Sequence, residues 1–243
     1  MKRLLLFFAA IVIAGTLCAQ QKKVMRNPEY DLKTIHMGFT LGVHSTNYRI
    51  IPSPMLLAPF FNDSVQHLEA IPGVGFHLSF ITDLRLSEHF NLRTLPGLLF
   101  GQRTLRYTMR NVYDTNPDGS MRTYIYNMNI SSIYVDVPIL LKYNAKRINN
   151  YRPYLIGGGS IKYDLETLRT RRGNNEYTIA QNPLDFFYEF GFGINWYFVY
   201  FKFSTELKFE FGTRNIIKPE NTEYAAVIDK LYSRLFVLSF HFE

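Results

Sequence analysis

The stretch Phe186-Phe187-Tyr188-Glu189-Phe190-Gly191-Phe192-Gly193-Ile194-Asn195-Trp196 decides the fold class. Side chains of an extended chain alternate between two faces. Phe186, Tyr188, Phe190, Phe192, Ile194 and Trp196 share one face, and Phe187, Glu189, Gly191, Gly193 and Asn195 share the other. That is a β-strand with a large aromatic face and a small or polar one. Phe198-Val199 almost joins it to a second strand, where Phe201, Phe203, Thr205, Leu207, Phe209 and Phe211 alternate with Lys202, Ser204, Glu206, Lys208 and Glu210.

Six further segments carry the period of two. Ile35 to Val43, Val74 to Phe80, and Ile133 to Leu141 alternate plainly, although Leu140 blurs the polar face of the last. The segment from Phe90 to Met109 is the least regular, and Pro96, Gly97 and Gly101 predict a bend or bulge in it. Tyr151 to Tyr163 contains Gly157-Gly158-Gly159, and the last segment places Phe236, Leu238, Phe240 and Phe242 on one face. No long stretch of period 3.6 occurs after the first twenty residues. The fold is predicted to be all-β.

The connections alternate strictly. Those around Pro52 to Pro59, Asn116-Pro117-Asp118-Gly119, Arg169 to Asn175, and Thr213 to Lys230 are long. Those at Ser87 to His89, Ala145 to Asn150, and Phe198-Val199 are short. An eight-stranded antiparallel up-and-down transmembrane β-barrel produces that asymmetry, with four long outer loops, short periplasmic turns and both termini in the periplasm. A soluble sandwich or lipocalin-like barrel shares the period. The very large aromatics of the apolar faces, the glycines opposite them, and the final Phe240-His241-Phe242-Glu243 favour the membrane barrel. Glu243 lies one residue past the aromatic end expected of such a last strand.

Composition agrees. The 243 residues are 47% hydrophobic and 16% aromatic, and only 19% are charged. A mean hydropathy of -0.09 excludes a bundle of membrane helices but not a barrel with two unlike faces. The aromatic content excludes a disordered chain. The charge of +7 does not argue for nucleic acid, because the basic Lys2 and Arg3 belong to an address segment. Met1-Lys2-Arg3, the uncharged run Leu4 to Leu17, and Ala19 before Gln20 read as a secretory signal peptide over 1–19. Residues 20–33 follow as a periplasmic segment and 34–243 as the barrel. Cys18 is the one cysteine, so the mature chain has neither disulfide nor thiol chemistry.

A barrel of eight strands is filled by its own side chains. The expected lumen set is His77, Asp136, Lys142, Glu189, Asn195, Lys202, Glu206, Lys208 and Glu210, acids and bases mixed so that they can pair. Its bland reading is a polar core that closes the pore; its sharper one is a proton or ion path. Arg169, Arg171 and Arg172 form a loop cluster that could contact lipid phosphates or an acidic partner, or simply be solvated. The sequence has no G-x-S-x-G elbow, no H-E-x-x-H and no phosphate loop, and Gly157-Gly158-Gly159-Ser160 reads as a strand kink. His36, His44, His67, His77, His89 and His241 are scattered. His44-Ser45 could be half of a lipid-modifying pair at the rim, though an ordinary loop histidine is the simpler reading. No catalytic, cofactor or metal site is expected, and neither nucleic acid nor a small-molecule substrate.

Several motifs carry a family resemblance. They are Ile35-His36-Met37-Gly38-Phe39-Thr40-Leu41-Gly42, Asp83-Leu84-Arg85-Leu86 with Leu95-Pro96-Gly97-Leu98, Asp136-Val137-Pro138-Ile139-Leu140-Leu141-Lys142-Tyr143, Arg152-Pro153-Tyr154-Leu155-Ile156-Gly157-Gly158, and Tyr188 to Ile194. The ordered set, from about Lys33 to Phe242, resembles the PorT family of outer-membrane barrels of the type IX (Por) secretion and gliding machinery. The motif at Asp136 to Tyr143 alone says only that the chain is a small barrel. The resemblance implies a non-enzymatic role in secreting cargo proteins, alongside a larger translocon and other type IX components, with outer-membrane lipid as surroundings. Rival classes are a lipid A-modifying barrel enzyme and an adhesin or stability barrel.

The address reading has a direct check. Mass spectrometry of the membrane-fraction protein is expected to find an N-terminus at Gln20 and no acyl chain on Cys18.

Overall fold

The structure is a computed structural model that describes residues 25–57, 65–115, 121–167, 179–218 and 223–243. Its strands are β1 (Ile35–Pro52), β2 (Val65–Ile71), β3 (Gly73–Arg85), β4 (Phe90–Thr94), β5 (Gly97–Thr115), β6 (Met121–Asn144), β7 (Tyr151–Asp164), β8 (Leu184–Tyr197), β9 (Lys202–Gly212) and β10 (Ile228–Phe242). Between them lie a 3-10 turn (Tyr30–Leu32), the single-turn helices α1 (Pro54–Leu57) and α2 (Glu223–Ala226), and helical residues at 165–167. Among the described residues no helix is long and apolar enough to cross a membrane, which says nothing against crossing by strands.

The ten segments make a ring of eight strands. β2 and β3 are one strand interrupted at Pro72, and β4 and β5 are one strand interrupted at Leu95-Pro96. Each strand pairs antiparallel with its chain neighbours. β1 closes the ring by pairing with both β3 and β10. Where β1 pairs with both β3 and β10 the ring is closed and has no free edge, whereas at the far end β2 pairs only with β5.

The two interruptions differ. At Pro96 the register is unbroken: Thr94 opposes Ile139 and Gly97 opposes Asp136 on the same diagonal. Proline has no N–H to give the ladder, so a bond is lost without a residue being inserted. The predicted bulge is therefore absent there. At Pro72 the register slips by one residue, since Ile71 opposes Thr104 while Phe76 opposes Phe100. That slip exchanges the faces, so Leu68 and Ala70 point inward in β2 while Val74 and Phe76 point outward in β3.

The outward face is an apolar belt. Phe39, Leu41 and Val43 of β1, Phe76 and Phe80 of β3, Ile139 of β6, and Phe186, Phe190 and Phe192 of β8 are exposed. Phe186 to Trp196 covers the ~9–11 residues that a tilted strand needs to cross a bilayer. Cross-strand aromatics stack along the belt: Phe39 on Phe242 at 5.0 Å, Phe190 on Phe209 at 5.4 Å, and Tyr188 on Phe211 at 5.2 Å. Inward, glycines make room for rings on the adjacent strand. Gly42 opposes His77, whose Cε1 lies 2.2 Å from where a Cβ would stand. Gly193 opposes Tyr154, whose ring would be 2.5 Å away.

Both described chain ends lie at one end of the ring, here the near end. The near-end turns are short. Leu86 N–H donates to Phe90 O at 2.9 Å, and Phe198 N–H to Phe201 O at 3.0 Å. Asn149 takes a φ of 52° in the Ile148 to Tyr151 turn, a left-handed position that asparagine tolerates. At the far end two of the expected long loops are in large part strand. β1 runs to Pro52, and β5 and β6 reach Thr115 and Met121. There the period of two continues with its polarity reversed. Leu105, Tyr107, Met109, Met128 and Ile130 point inward, while Thr104, Arg106, Asn127 and Asn129 point outward. This reversal explains the irregular look of the Phe90 to Met109 segment. The ring stands beyond the apolar belt there, and its wall is polar outside and apolar inside, as in a soluble barrel.

The face assignment is testable with two neighbours on β8. Phe190 is 49% exposed in the belt and Glu189 is buried in the lumen. Phe190→Arg is expected to destabilise the folded barrel by about 2–4 kcal/mol, the cost of arginine near the bilayer midplane. Glu189→Gln is expected to assemble far better, as read by heat-modifiable gel mobility and urea titration in lipid vesicles.

Candidate functional site

The lumen holds two ionic layers. In the near-end layer Arg93 is central: its guanidinium lies 2.6 Å from Asp83 and 2.6 Å from Glu243, and 3.7 Å from Glu206. Lys202 also contacts Glu243, and Lys142 stands 3.7 Å from Asp83. Neutral groups complete it. The Tyr154 hydroxyl donates to Glu206 at 2.8 Å, Asn91 donates to Asp83 at 2.6 Å, and Lys142 donates to Asn195 at 3.2 Å. The second layer is built on two lysines. Lys162 lies 2.7 Å from Asp136, 3.0 Å from Glu210 and 3.4 Å from Glu189; Lys208 lies 2.7 Å from Glu189 and 3.1 Å from Glu210. These side chains are buried, and charges taken out of water persist only when paired and hydrogen-bonded.

Above the second layer Arg103 spans the bore. Its guanidinium sits 4.0 Å over the Tyr48 ring and donates to Ser132 at 3.1 Å, Ser233 at 3.2 Å and the Tyr134 hydroxyl. Among the described residues it has no carboxylate within ion-pair distance; aromatic faces and hydroxyls hold it instead. The far end above it is apolar. Tyr48, Val65, Leu105, Tyr107, Met109, Met128, Ile130 and Leu231 from the wall pack with Ile179, Ile216, Ile217, Ala225 and Val227 from the far-end connections.

The near end is closed by the segment ahead of β1. The Tyr30 ring stacks on His36 at 4.5 Å, His36 Nε2–H donates to the Tyr30 carbonyl at 2.8 Å, and the Tyr30 hydroxyl donates to Glu243 at 3.5 Å. Burial, and next the Glu243 carboxylate, hold that hydroxyl well above its ordinary range, so it remains a donor. Asp31 accepts from the Tyr197 hydroxyl at 2.7 Å and pairs with Arg147 at 3.4 Å and Arg152 at 3.5 Å. A cavity of about 10 Å³ remains beneath, room for one water molecule.

The nine residues expected in the lumen are all buried. Lys142, Asn195, Lys202 and Glu206 meet in the near-end layer, and Asp136, Glu189, Lys208 and Glu210 in the second. His77 stands beside them, its Nε2 3.2 Å from the Ser239 hydroxyl. Arg169, Arg171 and Arg172 lie outside the described residues. Sequence reasoning missed Asp83, Arg93, Arg103, Lys162, His241 and Glu243. Alternation placed Lys162 opposite Ile161 and Tyr163, and Asp83 in line with His77 and Ser79, so a signal existed for both. Arg93 and Arg103 lie in the segment whose two faces are both partly apolar. Alternation with Phe240 and Phe242 also put Glu243 on the inward face, but its meeting with Arg93 needs ring closure.

One arrangement resembles a reaction centre. Thr40 Oγ1 lies 2.7 Å from His241 Nδ1, and His241 Nε2 lies 3.3 Å from Glu206. Each of the three exposes 1% of its surface or less, so no substrate reaches the hydroxyl in this conformation. His44 is not the loop residue expected: it lies within β1 with its ring in the lumen, while Ser45 points outward, so the two are not a pair. No cluster of three or more metal-ligating side chains occurs among the described residues.

Residues 18–218 match the family model described as outer membrane protein beta-barrel domain. Among solved structures the chain is similar to Neisserial surface protein A, at 9% identity and a TM-score of 0.39, over 86% of this chain and 98% of that one. It is also similar to the outer membrane protein OprG from Pseudomonas aeruginosa, at 11% identity and a TM-score of 0.39, over 84% of this chain and 93% of that one. A comparison with curated protein sequences finds no match.

The near-end layer makes a stability prediction. Arg93→Met leaves Asp83 and Glu243 short of a cation and is expected to cost about 3–5 kcal/mol in urea unfolding in lipid vesicles. Combining it with Asp83→Asn is expected to cost less than the two single changes added together, because the two groups share one interaction.

Proposed function

The chain belongs to the outer membrane protein β-barrel family, and from that premise we propose that it is a non-enzymatic component supporting secretion of cargo proteins by a type IX (Por) system. The near end, with both chain ends, faces the periplasm, and the far end faces outward. A signal peptide over 1–19 directs export. One observation carries the mechanism: among the described residues the bore is filled along its length by the near-end segment, two ionic layers, Arg103 and an apolar plug. A filled bore has no room for cargo, so the barrel acts through its surfaces, beside a larger translocon. The ordered PorT-like motifs support the choice of secretion system.

The lumen histidines serve packing in this reading. The Thr40, His241 and Glu206 arrangement is shut off from substrate, and the acids of both ionic layers are engaged by cations. Contact surfaces remain: the far-end connections, and the near-end segment held by Tyr30 and Asp31. A general acid or base contributes about 10²–10⁴-fold to a rate, whereas most interface positions tolerate truncation to alanine.

The test is a deletion strain carrying variant chains, scored for secreted cargo, for lipid A structure and for barrel assembly. His44→Ala, Ser45→Ala, His77→Ala and His241→Ala are each expected to leave secretion largely intact and lipid A unchanged. Deleting residues 22–33, or replacing residues 169–175 with a Gly/Ser linker, is expected to reduce secretion while the barrel stays in the membrane. An alanine variant that assembles normally yet abolishes secretion, or alters lipid A, would return the enzyme reading.

A further inference from the structure

The outer wall has a notch where β9 stops. β9 ends at Gly212, and the last pair between β9 and β10 is Phe211 with Arg234. β10 and β1 continue past that level, with Arg49 opposite Tyr232 and Asn47 opposite Arg234. After Gly212 the chain stays in the wall but leaves the regular ladder: Thr213 N–H donates to Phe186 O at 2.8 Å and Ile216 N–H donates to Leu231 O at 3.0 Å, while the Ile216 and Ile217 side chains join the apolar plug. Between the Phe211–Arg234 pair and that Ile216–Leu231 bond, the regular ladder along β10 is interrupted. A cleft of about 290 Å³ opens there, lined by Arg49, Tyr188, Phe211, Gly212, Tyr232 and Arg234.

Its chemistry is specific. Arg49 and Arg234 come from adjacent strands and are diagonal neighbours on one face, roughly 7–8 Å apart by sheet geometry. Among the described residues neither has an ion-pair or hydrogen-bond partner. By contrast Arg106, also outward-facing, pairs with Glu69 at 3.7 Å. Two like charges held side by side without an acid favour a shared anion. Guanidinium groups match phosphate oxygens bidentately. The cleft's other wall is flat and apolar, with Tyr188 stacked on Phe211 at an interplanar angle of 18°. Its level is telling. Arg234 stands two residues above the exposed Phe236, and Arg49 stands above the exposed Val43, at the upper limit of the apolar belt. Tyrosines concentrate where acyl chains give way to headgroups.

We infer that this cleft binds the phosphate of an outer-leaflet glycolipid, with Arg49 and Arg234 on the phosphate and the Tyr188–Phe211 wall against the sugar or first acyl carbons. The choice of leaflet rests on the orientation proposed above; the binding chemistry does not. A free phosphate would satisfy the arginines alone, but the cleft opens on the lipid side beside an aromatic wall that an inorganic ion does not use.

The experiment uses the full mature chain in phosphatidylcholine nanodiscs, with and without bisphosphorylated lipid A, and lipid retained on the extracted barrel is counted by native mass spectrometry. Heat-modifiable mobility first verifies folding of each variant. Wild type is expected to retain lipid A, and Arg49→Gln/Arg234→Gln to lose about tenfold or more in apparent affinity, as charge-assisted bonds would give. Arg106→Gln is expected to match wild type. Equal retention by the folded double variant would overturn the site. So would equal retention of dephosphorylated lipid A by wild type, or displacement of lipid A by millimolar inorganic phosphate. Nanodiscs present lipid A on both faces, so a reversed orientation in the cell, found by protease accessibility, would be a separate result from failure of the site.

Discussion

Everything inside this barrel depends on keeping buried charge paired. Eight strands leave a bore that only side chains can fill, and a bore crossing a bilayer cannot hold an isolated ion. Arg93 answers this by bridging Asp83 on β3, Glu206 on β9 and Glu243 just past β10. Lys162 answers it a layer away by meeting carboxylates from β6, β8 and β9. Besides ring neighbours, each cation reaches a strand that is not one: Arg93 of β4 meets Glu206 of β9 and Glu243 past β10, and Lys162 of β7 meets Glu210 of β9. The ionic layers therefore act as cross-braces as well as filling, and removing one partner leaves others uncompensated.

The bilayer sets the height at which this polar filling stops. Within the apolar belt the wall is greasy outside, so the polar side chains must turn inward. Beyond the belt water wets the outer surface, and the same alternating chain puts Arg106 and Asn127 outside and Leu105 and Met128 inside. Arg103 marks the changeover. It is charged like the layers below it, but aromatic rings and hydroxyls hold it, next to the apolar plug. The far end is in effect a small soluble barrel mounted on a membrane one. The notch beside Gly212 opens at this same level, where the wall passes from lipid to water.

A filled bore directs attention outward. The near-end segment lies flat across the mouth, with Tyr30 on His36 and Asp31 between Arg147 and Arg152. That segment presents its remaining surface at a fixed place on the rim rather than as a free tail. A partner on that side would meet a rigid, mixed-charge rim, and one on the far side would meet polar strands that stand clear of the membrane.

The sequence by itself determined the all-β class, the eight strands, and the inward side of His77, Asp136, Lys142, Glu189, Asn195, Lys202, Glu206, Lys208 and Glu210. It could do so because side-chain direction in a strand depends only on parity, a local property. It misjudged the Phe90 to Met109 segment because parity persists while polarity reverses, and the reversal follows from height above the belt, which a linear pattern does not contain. Tertiary structure alone decided the partners. Thr40 meets His241 across 201 residues, and Arg93 meets Glu243 across 150. Such pairs exist only once β1 closes on β10 in a fixed register, and that register is a property of the whole ring.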